Sequence, residues 1–570
     1  MSDAPANDIF RLSSDAVELL ADHDPMLATH VGLPGRDHRW SDFSPAGVAA
    51  RRLLLEEILA AAESAPVDDH RSVVAQRVLA TEMRNEIAAI DSELWRRDLN
   101  NIDSPWQNIR EIFELMPVDS LDEWTSVVAR LETIEHPLAG YRASLTVGLE
   151  AGDVVARRQV LTAIEQGRVT EGETSSFFLL QAAFDDAELD RDDPAVDALA
   201  RRLAAGIDSA RRAYGAMTDW FESTYLPAAR DIDGVGREAW LASATPKLGT
   251  VVDPIATYEW GWDELARLIA RRAEVARQID PTATVDDVLA RVIEDPELVA
   301  PDADAFVAIM QERQDAAVAA LDGSHFDVPA EIKTVEVRMA PPGGATAAHY
   351  LAPSEDFSRA GRVMYPPAGR TVFPLYEEVT TAYHEGFPGH HLQVGWQMAM
   401  GDALSRLHRL LVWYPGSGEG WALYAEHLMG ELGFLERPEY ELGLLTSQIF
   451  RSARIVIDIG CHLGLTIPDS SVTTGAAAVF DHAGETWDFD LGLEMLTDVV
   501  HLEPTNAESE MVRYLGWPGQ AISYKLGERF LLDLREEMSA APDFDLKAWH
   551  AKVLSLGSLG IDLLDELMRA

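Results

Sequence analysis

The 570-residue chain has a single cysteine, Cys461. That excludes an intramolecular disulfide and a thiolate-rich zinc site, so a bound metal would have to use histidine and carboxylate. Basic residues are scarce beside acidic ones: 47 Lys and Arg against 95 Asp and Glu, a formal net charge of −48 at pH 7. Nucleic acids and anionic membranes need a basic surface to neutralise phosphate, so neither is expected as a partner. No apolar run approaches the roughly eighteen residues that span a bilayer. The N-terminal stretch has no basic start ahead of an apolar core, so it does not read as a secretory signal, and a cytoplasmic location is expected. What is present is ordinary for a globular protein: 47% hydrophobic and 25% charged residues, in a chain long enough to bury a large core.

Up to about residue 325 the pattern is helix after helix. Ser44-Pro45 is placed to cap and start a run through Val48, Leu55, Ile58 and Leu59. Similar runs predict helices over 70–98, 121–134, 145–167, 193–224, 259–278, 284–296 and 302–321, with breaks at Asp233–Gly236 and Asp280-Pro281. Trp95, Trp106 and Trp124 read as core residues. At 331 the texture changes. Ile332–Met339 alternates and is rich in β-branched residues, Pro341-Pro342-Gly343-Gly344 turns the chain, and Ala348–Leu351 and Gly361–Tyr365 give two further strands. Helices are expected again at 402–412, from Trp421, and over 439–465, 472–482 and 488–500, with two more closing the chain. The expected fold is mainly α, a large helical molecule with a small antiparallel β-sheet. Residues 1–330 would form a helical region walling one side of a cleft, and 331–570 the catalytic region.

Chemistry concentrates in Tyr383-His384-Glu385-Gly386-Phe387-Pro388-Gly389-His390-His391-Leu392-Gln393, which holds three of the sixteen histidines. His-Glu followed one turn later by His is the arrangement of zinc hydrolases, in which two imidazoles bind metal and the Glu acts on water. Here Pro388 stands four residues after His384. At about 100° per residue, His384 and His390 point roughly 120° apart, and His384 and His391 lie roughly 10 Å apart along the axis. Neither pair chelates in a regular helix. Pro388 cannot donate to the carbonyl of residue 384 and Gly389 loosens the backbone, so a bulged helix would restore His390 to the ligand position. Glu419, in Gly418-Glu419-Gly420-Trp421-Ala422, is the third ligand at the start of a returning helix. Glu426, seven residues on, is a second choice or a partner to a ligating histidine.

Tyr383–Gln393, Glu419–Glu426 and Pro518–Gly527 together resemble the DUF885 family of bacterial proteins, known for a His-Glu-x-x-Pro-Gly-His-His motif and grouped with the zincin metallopeptidases. Looser similarity includes His38–Ser44 and Tyr225–Lys247. Gly389-His390 is similar to the Gly-His of thimet-type and dipeptidyl-peptidase III oligopeptidases, which favours His390, while His391 stays open. Glu419-Gly420-Trp421-Ala422 is similar to the Asn-Glu-Gly-Phe-Ala segment of gluzincin aminopeptidases, although Gly418 replaces the Asn. The resemblance implies one zinc ion on His384, His390 and Glu419, Glu385 as general base, and Tyr524 as donor to the oxyanion. Arg451, Arg454 and Arg513 could clamp a substrate carboxylate, although an arginine on a helix is more often a structural salt-bridge partner. The expected activity is cleavage of peptides or another small amide substrate. A metallohydrolase of a different amide or ester, and a non-catalytic helical scaffold, are the alternatives.

Overall fold

In a computed structural model, residues 8–340, 347–354, 357–367, 369–475 and 478–570 are described. The predicted turn at Pro341–Gly344 lies outside them. The molecule is mainly α: 67% of it is helical and 4% strand. Among the described residues, no helix is long and apolar enough to cross a membrane.

The chain forms two compact units. The first takes the described residues up to Gly234 with Ser405–Leu411 and Leu515–Trp517. Its helices begin where the sequence writes caps. Ser44 accepts the amide of Gly47 at 3.2 Å with Pro45 at the first helical position of Pro45–Ser64. Ser120 and Glu123 close a reciprocal capping box on Leu121–Thr133. The core is aromatic: Trp106 packs on Tyr214 and Phe221 at ring separations of 4.6 and 5.2 Å, and Trp124 on Phe184 at 5.0 Å. Trp95 is a correction. It is half-buried, with the Arg96 guanidinium 5.3 Å from its ring, outside this core. The run expected as one helix over 145–167 is two, Glu135–Ala151 and Arg157–Glu171. Gly152 takes a left-handed conformation (φ 71°) and ends the first.

The second unit comprises Val235–Leu404, Val412–Tyr514 and Pro518–Ala570. Its long helices Pro254–Ile279 and Pro438–Leu463 pack along each other, and Pro415–Glu431 packs along Ser523–Ser539. The second pair crosses backbone to backbone. A Cβ on Gly420 would lie 2.5 Å from the Cα of Gly527, so both positions require glycine. The expected helix over 472–482 does not form among its described residues. Ser470 and Thr473 turn their hydroxyls onto the local backbone and Gly475 takes φ 85°, both of which compete with helix.

The described residues contain five short strands: β1 (Val299–Ala300), β2 (Val335–Met339), β3 (His349–Leu351), β4 (Gly361–Tyr365) and β5 (Phe373–Pro374). β1 pairs antiparallel with β5. The other three form a sheet in the order β2-β4-β3. It is mixed rather than antiparallel as expected: β4 enters between its predecessors, so it runs against β3 but parallel to β2.

Candidate metal centre

The His-Glu helix, Glu378–Glu385, stops at Gly386, and a separate helix starts at His390 and runs to Ala399. The expected bulged helix is therefore a clean break. Leaving a helix mid-core strands carbonyls and amides, and these find partners. Gln314, fully buried on Ala303–Leu321, donates its amide to the Ala382 carbonyl at 2.7 Å and accepts the Phe387 amide at 2.6 Å. The Trp421 indole donates to the Pro388 carbonyl at 2.9 Å. Gly389 cannot carry a side chain, because a Cβ there would collide with the carbonyl oxygen of His384.

The break brings the two imidazoles together, with ring centres 4.9 Å apart and planes perpendicular. Glu419 meets them from helix Pro415–Glu431, which begins four residues earlier than the expected start beside Glu419. One ligand atom from each of His384, His390 and Glu419 lies within 4.8 Å of the others, the one such group among the described residues. Both imidazole Nε2 atoms sit 3.4 Å from Glu419 Oε2. That oxygen is buried and accepts no hydrogen bond from the described residues. A charge-assisted hydrogen bond would close to about 2.7–2.9 Å. Zinc ligands about 2.0–2.1 Å from the ion at tetrahedral corners would be about 3.3–3.4 Å apart. The donor set, the spacing and the orphaned oxygen thus fit one divalent ion.

Glu426 lies behind this triad. Its carboxylate accepts His384 Nδ1–H at 2.7 Å and the Thr380 hydroxyl, and is 1% exposed. Committing Nδ1–H in this way leaves Nε2 of His384 facing Glu419. Burial pulls the His384 pKa down, but the nearby carboxylates of Glu419 and Glu426 outweigh it and hold it at about 10. Burial pushes Glu419 up, and the two imidazoles hold it well below the ordinary carboxylate range.

Glu385 is half-buried, and its carboxylate makes no hydrogen bond or ion pair with any described residue. Burial raises its pKa, opposed by His384 and His390 and reinforced by Glu419. His391 is elsewhere. Its Nε2 bonds the Ile332 carbonyl at 2.8 Å and its Nδ1 the Tyr350 hydroxyl at 3.1 Å, and burial lowers its pKa to about 4. With both nitrogens engaged it is outside the triad. Tyr524 starts helix Ser523–Ser539 with its ring 4.7 Å from the Arg454 guanidinium. Burial and the Glu419 charge raise its hydroxyl pKa, while Arg513, Arg454 and Arg451 oppose them.

A sequence model of bacterial proteins of unknown function, DUF885, matches residues 25–568. The chain belongs to the DUF885 family. Two solved structures share the fold. A Colwellia psychrerythraea protein described as a candidate lipoprotein superposes with a TM-score of 0.85 at 23% identity, covering 98% of each chain. A second protein described in the same way, from Shewanella oneidensis and of unknown function, gives 0.72 at 18% identity, covering 99% of this chain and 100% of its own. No curated protein matches the chain.

Three residues of this DUF885 chain bear on the centre without having been singled out from sequence. Gln314 lies some seventy positions from the break it stitches, and nothing near it in sequence marks it. Thr380 stands one turn before His384, where a signal was available: a hydroxyl on the motif helix facing its carboxylate partner. Tyr365, at the end of β4, is fully buried with a hydroxyl that has no partner, and the charges of Glu378 and Glu385 bear on it.

Proposed function

We propose that this DUF885 chain is a zinc-dependent hydrolase, a metallopeptidase cleaving peptides or other small amides. The observation that carries the reading is the convergence of His384, His390 and the unpartnered Glu419 oxygen at zinc-ligand spacing, with an unpaired carboxylate, Glu385, next to it in the chain. Zinc on these three residues would supply Lewis acidity, polarising an amide carbonyl and acidifying water. Glu385 takes the proton of the attacking water, a task suited by a raised pKa, and delivers it to the departing amine. Tyr524, its hydroxyl making no hydrogen bond among the described residues, donates to the oxygen that gains charge as the carbonyl becomes tetrahedral. Glu426 holds His384 in the tautomer that faces the ion.

The test pairs metal content with turnover. Purified protein should carry about one zinc per chain, lost in His384→Ala. Glu385→Gln should keep the zinc and lose hydrolysis of a short-peptide panel by at least about a hundredfold. A protein that binds no zinc and is unaffected by His384→Ala would return these histidines to a structural role in a helical scaffold.

A further inference from the structure

Close to the proposed metal centre the protein assembles more positive charge than it answers. Arg451 and Arg454 stand on helix Pro438–Leu463 and Arg513 on Pro504–Gly516. One carboxylate, Glu510, serves two of them, accepting from Arg454 at 3.0 Å and from Arg513 at 2.9 Å. Arg451 has no ion pair among the described residues and bonds only to Ser447, one turn back on its own helix. In a chain of net charge −48, three neighbouring guanidiniums with one ion-paired carboxylate among them are out of character.

They are also costly to bury. Arg454 is 5% exposed and Arg513 9%, and beside Glu510 they have neutral partners, the Tyr514 hydroxyl for Arg454 and the Gln520 side-chain oxygen for Arg513, where a buried cation calls for every donor to be met. Arg454 Nη1, Arg513 Nε and Arg451 Nε are all buried donors with no acceptor among the described residues. Two carboxylates whose charge reaches Arg451 are engaged elsewhere: Glu426 by His384 and Thr380, and Glu377 by the Tyr376 hydroxyl at 2.7 Å.

The group adjoins the site. The Arg454 guanidinium lies over Tyr524, one turn before Gly527, and Gly527 meets Gly420, the neighbour of Glu419. We propose that Arg451, Arg454 and Arg513 receive a carboxylate of the substrate beside the bond to be cleaved, so that the centre selects amides carrying an adjacent free carboxylate. This deepens the hydrolase reading and rests on it. Guanidinium forks bind carboxylate strongly and with fixed geometry. The carboxylate is either the C-terminal one of a peptide or an acidic side chain.

Binding to Glu385→Gln protein, which would not turn substrate over, separates these sources. Three probes are compared by calorimetry: acetyl-Ala-Ala-Ala with a free C-terminus, its C-terminal amide, and acetyl-Ala-Glu-Ala amide. At least one carboxylate probe should bind about tenfold or more tighter than the plain amide. The free acid winning identifies a C-terminal carboxylate, and the Glu amide winning identifies an acidic side chain. Arg451 makes its hydrogen bonds within its own helix, so Arg451→Gln should fold and should shrink the ratio severalfold, with Arg451→Lys restoring part of it. Equal binding of the three probes, including none at millimolar concentration, overturns the inference, as does a ratio unchanged in Arg451→Gln. The two readings fail separately. Wild-type protein loaded with zinc and inert toward every peptide removes the hydrolase reading but leaves the binding ratio standing, whereas equal binding beside active hydrolysis removes only the arginine site.

Discussion

Replacing Glu426 by glutamine tests whether the centre depends on how His384 is held. The substitution keeps size and shape. A glutamine carbonyl can still accept His384 Nδ1–H and its amide can still reach Thr380, so packing around this 1%-exposed side chain is preserved. What disappears is the negative charge. A hydrogen bond to a charged group contributes about 1.5–3 kcal/mol against about 1 for a neutral one. Removing such an outer partner of a metal-binding histidine weakens the metal about 10–100-fold, or about 1.4–2.7 kcal/mol. The loss should fall toward the upper end, because His390 Nδ1 is buried without a partner and cannot share the orienting role. Zinc affinity is read by competition with a chromophoric chelator at pH 7, and folding by far-ultraviolet dichroism. Glu426→Gln should remain folded and release zinc at chelator concentrations the wild type resists. Folded Glu426→Gln with zinc affinity within twofold of wild type would refute the argument.

Other outcomes follow from the same geometry. His390→Asn should abolish stoichiometric zinc while His391→Asn keeps it, and loss of zinc in both would contradict the placement of His391 between Ile332 and Tyr350. Gly420→Ala puts a methyl 2.5 Å from the Gly527 backbone and should cost about 1–3 kcal/mol, seen as a lowered thermal midpoint, whereas an unchanged midpoint would mean the crossing relaxes freely. Glu510 is pushed up by burial, but Arg454, Arg513 and the Tyr514 hydroxyl outweigh that and hold it at about 2, below its ordinary 4.5. With the folded value the lower one, its contribution of about 3 kcal/mol is complete above pH 4.5 and is lost as pH falls through about 2. Urea unfolding between pH 6 and pH 3 should therefore fall more steeply for wild type than for Glu510→Gln, and equal slopes would rule the contribution out.

Local chemistry made much of the fold legible. Ser44-Pro45 announces a helix start through a bond closed within four residues. Gly152 was readable in principle, but a single glycine inside an apolar period does not say whether the helix bends or ends. At the centre, residue types and the choice of Glu419 were open to a reader of the sequence, because His, Glu and a following Gly-Trp carry their chemistry with them. The break at Gly386 was not. Proline and glycine say that a helix is disturbed, and only the tertiary partners, Gln314 and Trp421, decide that it is cut rather than bulged. The mixed sheet was hidden for a related reason. Alternation identifies each strand but not that β4 inserts between β2 and β3.

The Gly420–Gly527 crossing has a mechanical consequence. Where two helices touch through side chains, rotamer changes absorb a displacement of a few tenths of an ångström. Here no side chain lies between the backbones, so a shift of Glu419 on binding the proposed ion would pass to the helix bearing Tyr524 with little damping. That helix is tied through Lys525 and Glu528 to Gln448, one turn before Arg451. Loading the metal and seating a carboxylate would then act on one connected frame, and occupancy at either end should be felt at the other.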